Sequence, residues 1–485
     1  MSLLGILVGL GFLVAFAFRG WTVLLLAPIA ALIAALFSGE PLLAHWTQTF
    51  MRSASQFLAQ FFPLFLLGAL FGKLMEDSGS VTAIADLIIR KLGHGHAVLA
   101  VVLASALVTY GGVSLFVAFF VIGPMAQELF RAASVPRRLM PAAIALGTST
   151  FTMSALPGTP SIQNAIPMPF FGTTPFAAPG LGIVASIIMF GFGMWWLSRA
   201  ETRARRTAED FGQPDYSTQQ QPVERVKAAR ERATTAHEFD LAELDSGQVA
   251  DTAPSALVAV LPLVIVIAVN LGMSLFVLPR LDASFLAEPR WGQTTLAAVG
   301  GVWAVVTALA CAIVVVLVLN STRLPKLRET VDAGANASVL PALSVASLVG
   351  FGAVVAEMPA FAAVREWVLG ISGGPLVSLA AATNVLAALT GSASGGLTIA
   401  LDALGSTYMA LAKDLGMDPA LLHRVAVIAS GTLDSLPHNG AVVTLLAVCG
   451  STHRESYFDI VMVGIVSAIL ALAVVIVLGS LFGSF

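Results

Sequence analysis

The sequence predicts an all-α polytopic membrane protein made of two inverted structural repeats, each with a re-entrant helical hairpin and a discontinuous transmembrane helix. Of the 485 residues, 57% are hydrophobic and 11% are charged, whereas soluble domains carry roughly 25% charged residues. The apolar runs are continuous at the roughly 20-residue scale of a bilayer core and lack the alternation of barrel strands. Polar interruptions of these runs recur at matching places in the two halves of the chain.

Composition also excludes several classes of protein. The net charge of -3 implies no nucleic-acid partner. Cys311 and Cys449 are single residues in apolar runs without a CxxC pair or a nearby histidine, so neither a disulfide nor a metal site is expected. No cofactor motif is present, and we predict none.

The first repeat is predicted to cover residues 1–198. Apolar runs at 3–18, 21–37 and 57–75 predict three spans, with a polar connection at 40–52. Residues 97–130 hold two shorter apolar stretches around 110–114, the pattern of a re-entrant hairpin. Residues 137–175 predict a helix broken at Leu156-Pro157, and a span at 179–197 completes the half.

The second repeat, residues 254–485, follows the same plan after a polar linker at 199–253 that is rich in charges and glutamine. Spans are predicted at 255–277, 294–320, 336–356 and 460–478. A hairpin near 375–411 is interrupted at 390–396, and a helix near 420–449 is broken at Leu436-Pro437.

Three landmarks support a duplication because they keep nearly one spacing. Glu357 follows Glu76 by 281 residues, Thr390 follows Thr109 by 281, and Pro437 follows Pro157 by 280. Shared spacing of a span end, a hairpin tip and a Leu-Pro break indicates two homologous units.

Positive charges predict the orientation of this arrangement in the membrane. With re-entrant hairpins, eleven basic residues outside the linker fall on the linker side, against six on the opposite side, Arg424 among them. The positive-inside rule then places the linker in the cytoplasm and both termini outside. We therefore expect a protein of the bacterial inner membrane. A first hairpin that crosses fully is the alternative, and it weakens this bias.

The hairpin tips and Leu-Pro breaks are the predicted solute site. Secondary transporters built from inverted repeats bind anionic solutes near the midplane, where half-helices end. No Arg or Lys lies in any break, which favours a solute with one carboxylate over a multiply charged one. The predicted binding residues are Thr109, Tyr110, Gly111, Gly112, Ser114, Ser154, Gly158, Thr159, Ser161, Gln163, Asn164, Thr390, Gly391, Ser392, Ser394, Ser435, His438 and Asn439.

Asp434 and His438 are the candidate proton-coupling residues, because a carboxyl in hydrocarbon favours its neutral form and histidine titrates near neutrality. The alternative is that Asp434 caps a half-helix and His438 bonds the backbone. Sodium coupling also remains open, since backbone carbonyls at the breaks suit Na⁺. Glu76 and Glu357 are expected to be solvated interface acids, and the direction of Asp402 in the second hairpin is open.

An enzyme and a passive channel are further alternatives, and the paired hairpins favour alternating access over a channel. Ser394, at a helix start, together with His438 resembles the nucleophile and base of an intramembrane serine protease. Transport explains better than proteolysis why the serine lies in a repeated hairpin and the histidine in a repeated break, so no enzyme is predicted.

The second break also carries a resemblance to a known family. The run from Asp434 to Leu446, followed by Thr452-His453-Arg454-Glu455-Ser456-Tyr457, resembles the gluconate permease family of the ion transporter superfamily, closest to its hydroxybutyrate permease branch. The stretch from Leu156 to Asn164 and the opening spans agree, so the similarity covers most of the chain except the linker.

This resemblance implies a gluconate:proton symporter-like activity, the proton-coupled uptake of small hydroxylated monocarboxylates. Superfamily relatives imply a homodimer whose transport domain moves as an elevator against a scaffold domain. The second break reads Leu-Pro-His-Asn where gluconate carriers have a run of the His-Val-Asn-Asp type. The expected solute is therefore a smaller acid such as 3-hydroxybutyrate rather than gluconate.

Overall fold

The protein is helical throughout the part that the structure describes. In the computed structural model these residues are 2–17, 19, 21–207, 248–250, 252–437 and 439–485, and all their regular secondary structure is helical. Seven of the described helices are long and apolar enough to cross a bilayer, and four more are apolar but shorter. The predicted all-α polytopic class is confirmed.

The helices follow one another in the same order in the two halves. Each half has two apolar helices, a long helix, a short helix, a pair of helices joined by a tight turn, an interrupted helix and a last long helix. The first half consists of α1 Ser2–Ala17, α2 Val23–Ser38, α3 Leu42–Asp77, α4 Ser80–Leu92, α5 Ala97–Tyr110, α6 Leu115–Ala132, α7 Met140–Thr148, α8 Phe151–Ser154, α9 Ile162–Ala165, α10 Pro167–Phe171 and α11 Pro179–Arg206. The second half consists of α12 Ala256–Arg280, α13 Leu296–Leu319, α14 Leu327–Glu357, α15 Phe361–Leu369, α16 Pro375–Thr390, α17 Ala393–Asp414, α18 Pro419–Thr432, α19 Gly440–Val448 and α20 His453–Phe482.

One predicted polar segment, and the start of a second, are helical instead. The expected connection at 40–52 is wrong, because α3 already begins at Leu42. No proline or glycine follows Pro41 to interrupt that helix before Pro63, and Thr49 has a polar partner there in Glu357. Helix α11 runs eight residues into the predicted linker, to Arg206, and the arginines of its last turn complement the negative end of the helix dipole.

The turns and breaks lie close to their predicted positions. Helices α5 and α6 are joined by a turn at 111–114, where Gly112 has a φ of +99°. Helices α16 and α17 are joined at Gly391, with a φ of +65°, and Ser392, whose Oγ accepts a hydrogen bond from the Gly395 amide. Glycine tolerates these left-handed conformations without the steric cost of a Cβ atom. That each pair returns to the side from which it entered stays a prediction.

The long helices α3 and α14 pack side by side in opposite directions. Near the end of α3, Asp77 Oδ2 accepts a hydrogen bond of 2.6 Å from Thr330 Oγ1, near the start of α14. At the other end of the pair, Glu357 is the last residue of α14, and its Oε2 accepts a hydrogen bond of 2.9 Å from Thr49 Oγ1, near the start of α3. Because each helix begins where the other ends, the two contacts are reciprocal.

The acids at these two ends have different surroundings. Lys73 Nζ lies 3.0 Å from Asp77 Oδ1 and 3.6 Å from Glu76 Oε2, and all three side chains are largely buried. Glu76 is therefore not the solvated acid that was expected, because the neighbouring lysine draws it into the interior. The side chain of Glu357 is 57% exposed and does meet that expectation.

Replacing Thr330 by Val should lower the free energy of unfolding by about 1–3 kcal/mol, because a buried carboxylate oxygen loses its hydroxyl donor. Thermal unfolding of the detergent-solubilised protein measures the loss. Thr49→Val removes the corresponding hydroxyl from an exposed contact and should cost less than about 0.5 kcal/mol. Equal losses in the two variants would contradict the role given to burial.

Candidate functional site

A cavity of about 450 Å³ lies where the two helix turns and the two breaks meet. Its walls also include α3 and α14, through residues such as Phe65 and Ser344. This volume falls within the usual range for small-molecule sites. Twelve of the predicted site residues line it: Thr109, Gly112, Ser114, Ser161, Gln163, Thr390, Gly391, Ser392, Ser394, Asp434, Ser435 and Asn439.

Six predicted residues do not line the cavity: Tyr110, Gly111, Ser154, Gly158, Thr159 and Asn164. Four of them make hydrogen bonds at the first break. The Tyr110 hydroxyl donates to the Pro157 carbonyl at 2.8 Å, and the Gly158 amide donates to the Pro175 carbonyl at 2.9 Å. The Thr159 carbonyl accepts a bond of 3.0 Å from Asn164 Nδ2.

The remaining two of these six pack against other helices. Gly111 lies so close to Leu263 of α12 that a Cβ atom would meet its side chain. Ser154 is buried, donates to the Thr150 carbonyl at 3.1 Å, and packs against Gly431 of α18. Sequence position alone marks such residues as part of a break, but it does not tell which way they face.

The second break is tied to the neighbouring helix turn by a carboxylate and an amide. Asp434 Oδ1 accepts hydrogen bonds from the Ala393 amide at 2.8 Å and from Asn439 Nδ2 at 2.9 Å. Asn439 Nδ2 also donates to the Gly391 carbonyl at 3.0 Å, and its Oδ1 caps α19 by accepting from the Ala441 amide at 2.7 Å. Asp434 thus has a contact of the kind that the capping alternative predicts, and this group of bonds joins the break to the start of α17.

The first break lacks a carboxylate at the corresponding place. Ser161 caps α9 as Asn439 caps α19, and its hydroxyl donates to the Met153 carbonyl at 2.8 Å. Ser154, 280 residues before Asp434, occupies the equivalent position. Among the described residues that line the cavity, Asp434 is the one ionisable side chain.

Three further residues named in the sequence analysis have different outcomes. His438 falls outside the described residues, so its predicted roles in solute binding and proton coupling stay predictions. Asp402 is exposed on α17 and is not among the cavity residues. Ser394 does line the cavity, and its Oγ lies 3.2 Å from Ser392 Oγ.

Sequence reasoning missed a buried arginine behind the first break. Arg424 on α18 is fully buried, although from the sequence it was counted among the basic residues on the side opposite the linker. Its guanidinium donates twice to the Ala177 carbonyl, at 2.6 and 3.0 Å, and once each to the Ala155 carbonyl at 3.2 Å and Asn164 Oδ1 at 3.4 Å. An arginine from the second half therefore satisfies carbonyls that the break in the first half leaves without helical partners.

His423 extends this group of contacts. One ring nitrogen, Nε2, lies 3.1 Å from Asn164 Oδ1, and the other, Nδ1, lies 2.6 Å from Thr173 Oγ1. The sequence did contain a signal of these buried contacts, because His423 and Arg424 are adjacent polar residues inside an otherwise apolar helical segment. Their partners are about 250 residues away in the chain, so spacing did not reveal them.

Arg424→Gln should lower the free energy of unfolding by about 3 kcal/mol, because hydrogen bonds from a charged donor to buried carbonyls are lost. Thermal unfolding in detergent checks this. Arg365 is exposed on α15, so Arg365→Gln provides a control with the same change of charge and should leave stability within about 0.5 kcal/mol. If both variants unfold like the wild type, Arg424 does not support the break.

Comparison with known proteins places this geometry among transporters. No family model matches the chain. It is 37% identical over 483 residues to the uncharacterized transporter YxjC of Bacillus subtilis (strain 168), and the match covers 98% of each protein. The crystal structure of the YdaH transporter of Alcanivorax borkumensis has a similar fold, with a TM-score of 0.54 and 18% identity, covering 91% of this chain and 89% of that one.

Proposed function

Because this chain belongs to the bacterial membrane transporter family that includes YxjC of Bacillus subtilis, we propose that it is a proton-coupled symporter of a small hydroxylated monocarboxylate. The chain is a transporter and not an enzyme. The cavity formed by both turns and both breaks carries the proposal, since it joins four helix interruptions around one solute-sized volume.

The chemistry of the cavity favours a singly charged, hydroxylated solute. Hydroxyl and amide groups from both halves line it, among them Ser161, Gln163, Ser392 and Asn439, while the described lining residues include no Arg or Lys. Neutral donors can bind one carboxylate and several hydroxyls. Each further carboxylate would require a compensating cation, because burying an unpaired charge is costly.

Asp434 supports coupling to a proton. A solute carboxylate next to an ionised Asp434 would place two negative charges in a cavity without a basic side chain among its described lining residues. Protonation of Asp434 removes that repulsion. Binding of the anion and of the proton then favour each other, which is the thermodynamic requirement for symport.

The arrangement of the halves supports inverted repeats and alternating access. If α3 and α14 both span the membrane, their antiparallel packing means that they enter it from opposite sides. The repeated order of elements then corresponds to two units of opposite topology. An elevator-type movement of a transport domain within a homodimer follows from the family resemblance, and we include it in the proposal.

The identity of the acid and the orientation also belong to the proposal. A 3-hydroxybutyrate-like acid is the first choice, and a gluconate-like acid is the alternative. The excess of basic residues on the linker side supports an inner-membrane protein with residues 199–253 in the cytoplasm.

Sodium coupling is a second candidate, because one observation favours it. The Gly391 carbonyl and Asp434 Oδ1 both lie within 3.0 Å of the same atom, Asn439 Nδ2, so two oxygens suited to a hard cation are close together. An intramembrane protease using Ser394 and His438 is not retained, since the chain belongs to a transporter family.

Asp434→Asn should abolish accumulation of solute driven by a pH gradient but retain solute binding, because the neutral amide resembles a protonated carboxyl and its oxygen still accepts hydrogen bonds. Proteoliposome uptake and solute-induced thermal stabilisation measure the two properties. Asp402→Asn is the matched control, and it should transport normally. Undiminished proton-driven uptake by Asp434→Asn would remove Asp434 from the coupling mechanism.

A solute panel measured in sodium-free buffer and again with sodium present tests substrate class and coupling ion together. We expect 3-hydroxybutyrate or gluconate to enter proteoliposomes under an inward pH gradient, and succinate, with two carboxylates, to be excluded. Uptake that requires sodium and ignores the pH gradient would favour the sodium alternative. Thermal stabilisation by succinate without any by the monocarboxylates would contradict the assigned solute class.

A further inference from the structure

A second, separate cavity lies at the junction of α11, α20 and the turn that precedes α7. It has a volume of about 250 Å³. Its walls include three arginines, two acids and a tryptophan: Arg138, Arg199, Arg203, Glu455, Asp459 and Trp196. None of these residues lines the solute cavity, and the proposed transport reaction uses none of them.

The acids in this second cavity already have partners. Asp459 accepts hydrogen bonds from Arg138 at 2.6 Å and from Trp196 Nε1 at 2.9 Å. Glu455 Oε2 accepts from the Thr452 amide at 3.1 Å and from Ser451 Oγ at 3.2 Å, as part of the cap of α20. The negative charge in the cavity is thus taken up by contacts within the protein.

The two remaining arginines are available to bind an anion. Arg199 and Arg203 lie one helical turn apart on α11, and both are exposed. Neither makes an ion pair or a side-chain hydrogen bond to another residue in the described part of the chain. Guanidinium groups bind phosphate oxygens with paired, charge-assisted hydrogen bonds.

The position of this cavity along the helices corresponds to the edge of a bilayer. Helix α11 is apolar up to Leu197 and charged from Arg199 onward, and α20 becomes apolar after Asp459. Two large aromatic side chains beside the cavity are exposed: Trp195 by 54% and Phe458 by 66%. Aromatic residues gather at the level of lipid headgroups, with acyl chains on one side and water on the other.

We propose that this cavity binds the phosphate of an anionic phospholipid, with Arg199 and Arg203 contacting the phosphate and the exposed aromatic side chains contacting the lipid. Basic pockets between helices at the membrane surface recognise such headgroups. A soluble phosphate ester has the same chemistry for the arginines but makes no contact with Trp195 and Phe458. The exposed aromatic side chains therefore favour a phospholipid over a soluble phosphate ester as the occupant of this cavity.

Native mass spectrometry of the full-length protein with added phosphatidylglycerol tests the proposal. Arg199→Gln/Arg203→Gln should reduce the affinity of the retained lipid by about tenfold or more. The matched control is Arg205→Gln/Arg206→Gln, which removes the same charge from the same helix end, from two arginines that do not line the cavity. The control should retain the lipid as the wild type does.

Each other outcome overturns the proposal. Unchanged lipid retention in Arg199→Gln/Arg203→Gln means that the cavity is not the binding site. Equal losses in both variants indicate general attraction to a basic helix end. Phosphatidylcholine retained as well as phosphatidylglycerol removes the requirement for an anion, and displacement of the lipid by millimolar glycerol phosphate assigns the cavity to a soluble phosphate ester.

Discussion

Backbone groups freed where helices stop inside hydrocarbon must find partners within the protein, and the rest of the structure depends on how this requirement is met. At the first break the partners come from Asn164 and from Arg424, a residue of the opposite half. At the second break Asn439 caps α19, and Asn439 and Asp434 bind the neighbouring turn and the start of α17. The breaks are thus stable enough to enclose a polar cavity in an apolar protein.

The two breaks meet this requirement with opposite charges. Arg424 supports the first from behind and does not line the cavity, whereas Asp434 supports the second and does line it. A positive charge held away from the cavity and an acid exposed to it fit an anion that enters together with a cation or a proton.

Much of this architecture could be predicted from the sequence, because its causes are local. Long apolar runs specify the spans, and proline and glycine within them specify the interruptions near Pro157 and Pro437. The short helices α4 and α15 escaped prediction because they carry charges and are too short to span. The segment from Leu42 to Phe50 was misread because polar side chains suggested a loop, although a partner on α14 makes them compatible with a helix.

Which side chains at the breaks point into the cavity could not be predicted, because their direction depends on contacts between distant parts of the chain. Twelve of the predicted residues line the cavity, while Tyr110 and Asn164, a few residues from others that do, face the interior. The role of Arg424 was hidden for the same reason, since its partners lie in the other half. Local sequence determines where a helix breaks, and tertiary packing determines which groups the break presents.

The central claim is that the cavity joining both turns and both breaks holds the transported anion. The most direct measurement is a crystal structure with 4-bromo-3-hydroxybutyrate, located by the anomalous scattering of its bromine. The account predicts one bromine peak inside this cavity, in contact with residues of both helix turns and near Asp434. A peak between other helices, with the cavity containing only solvent, would contradict it.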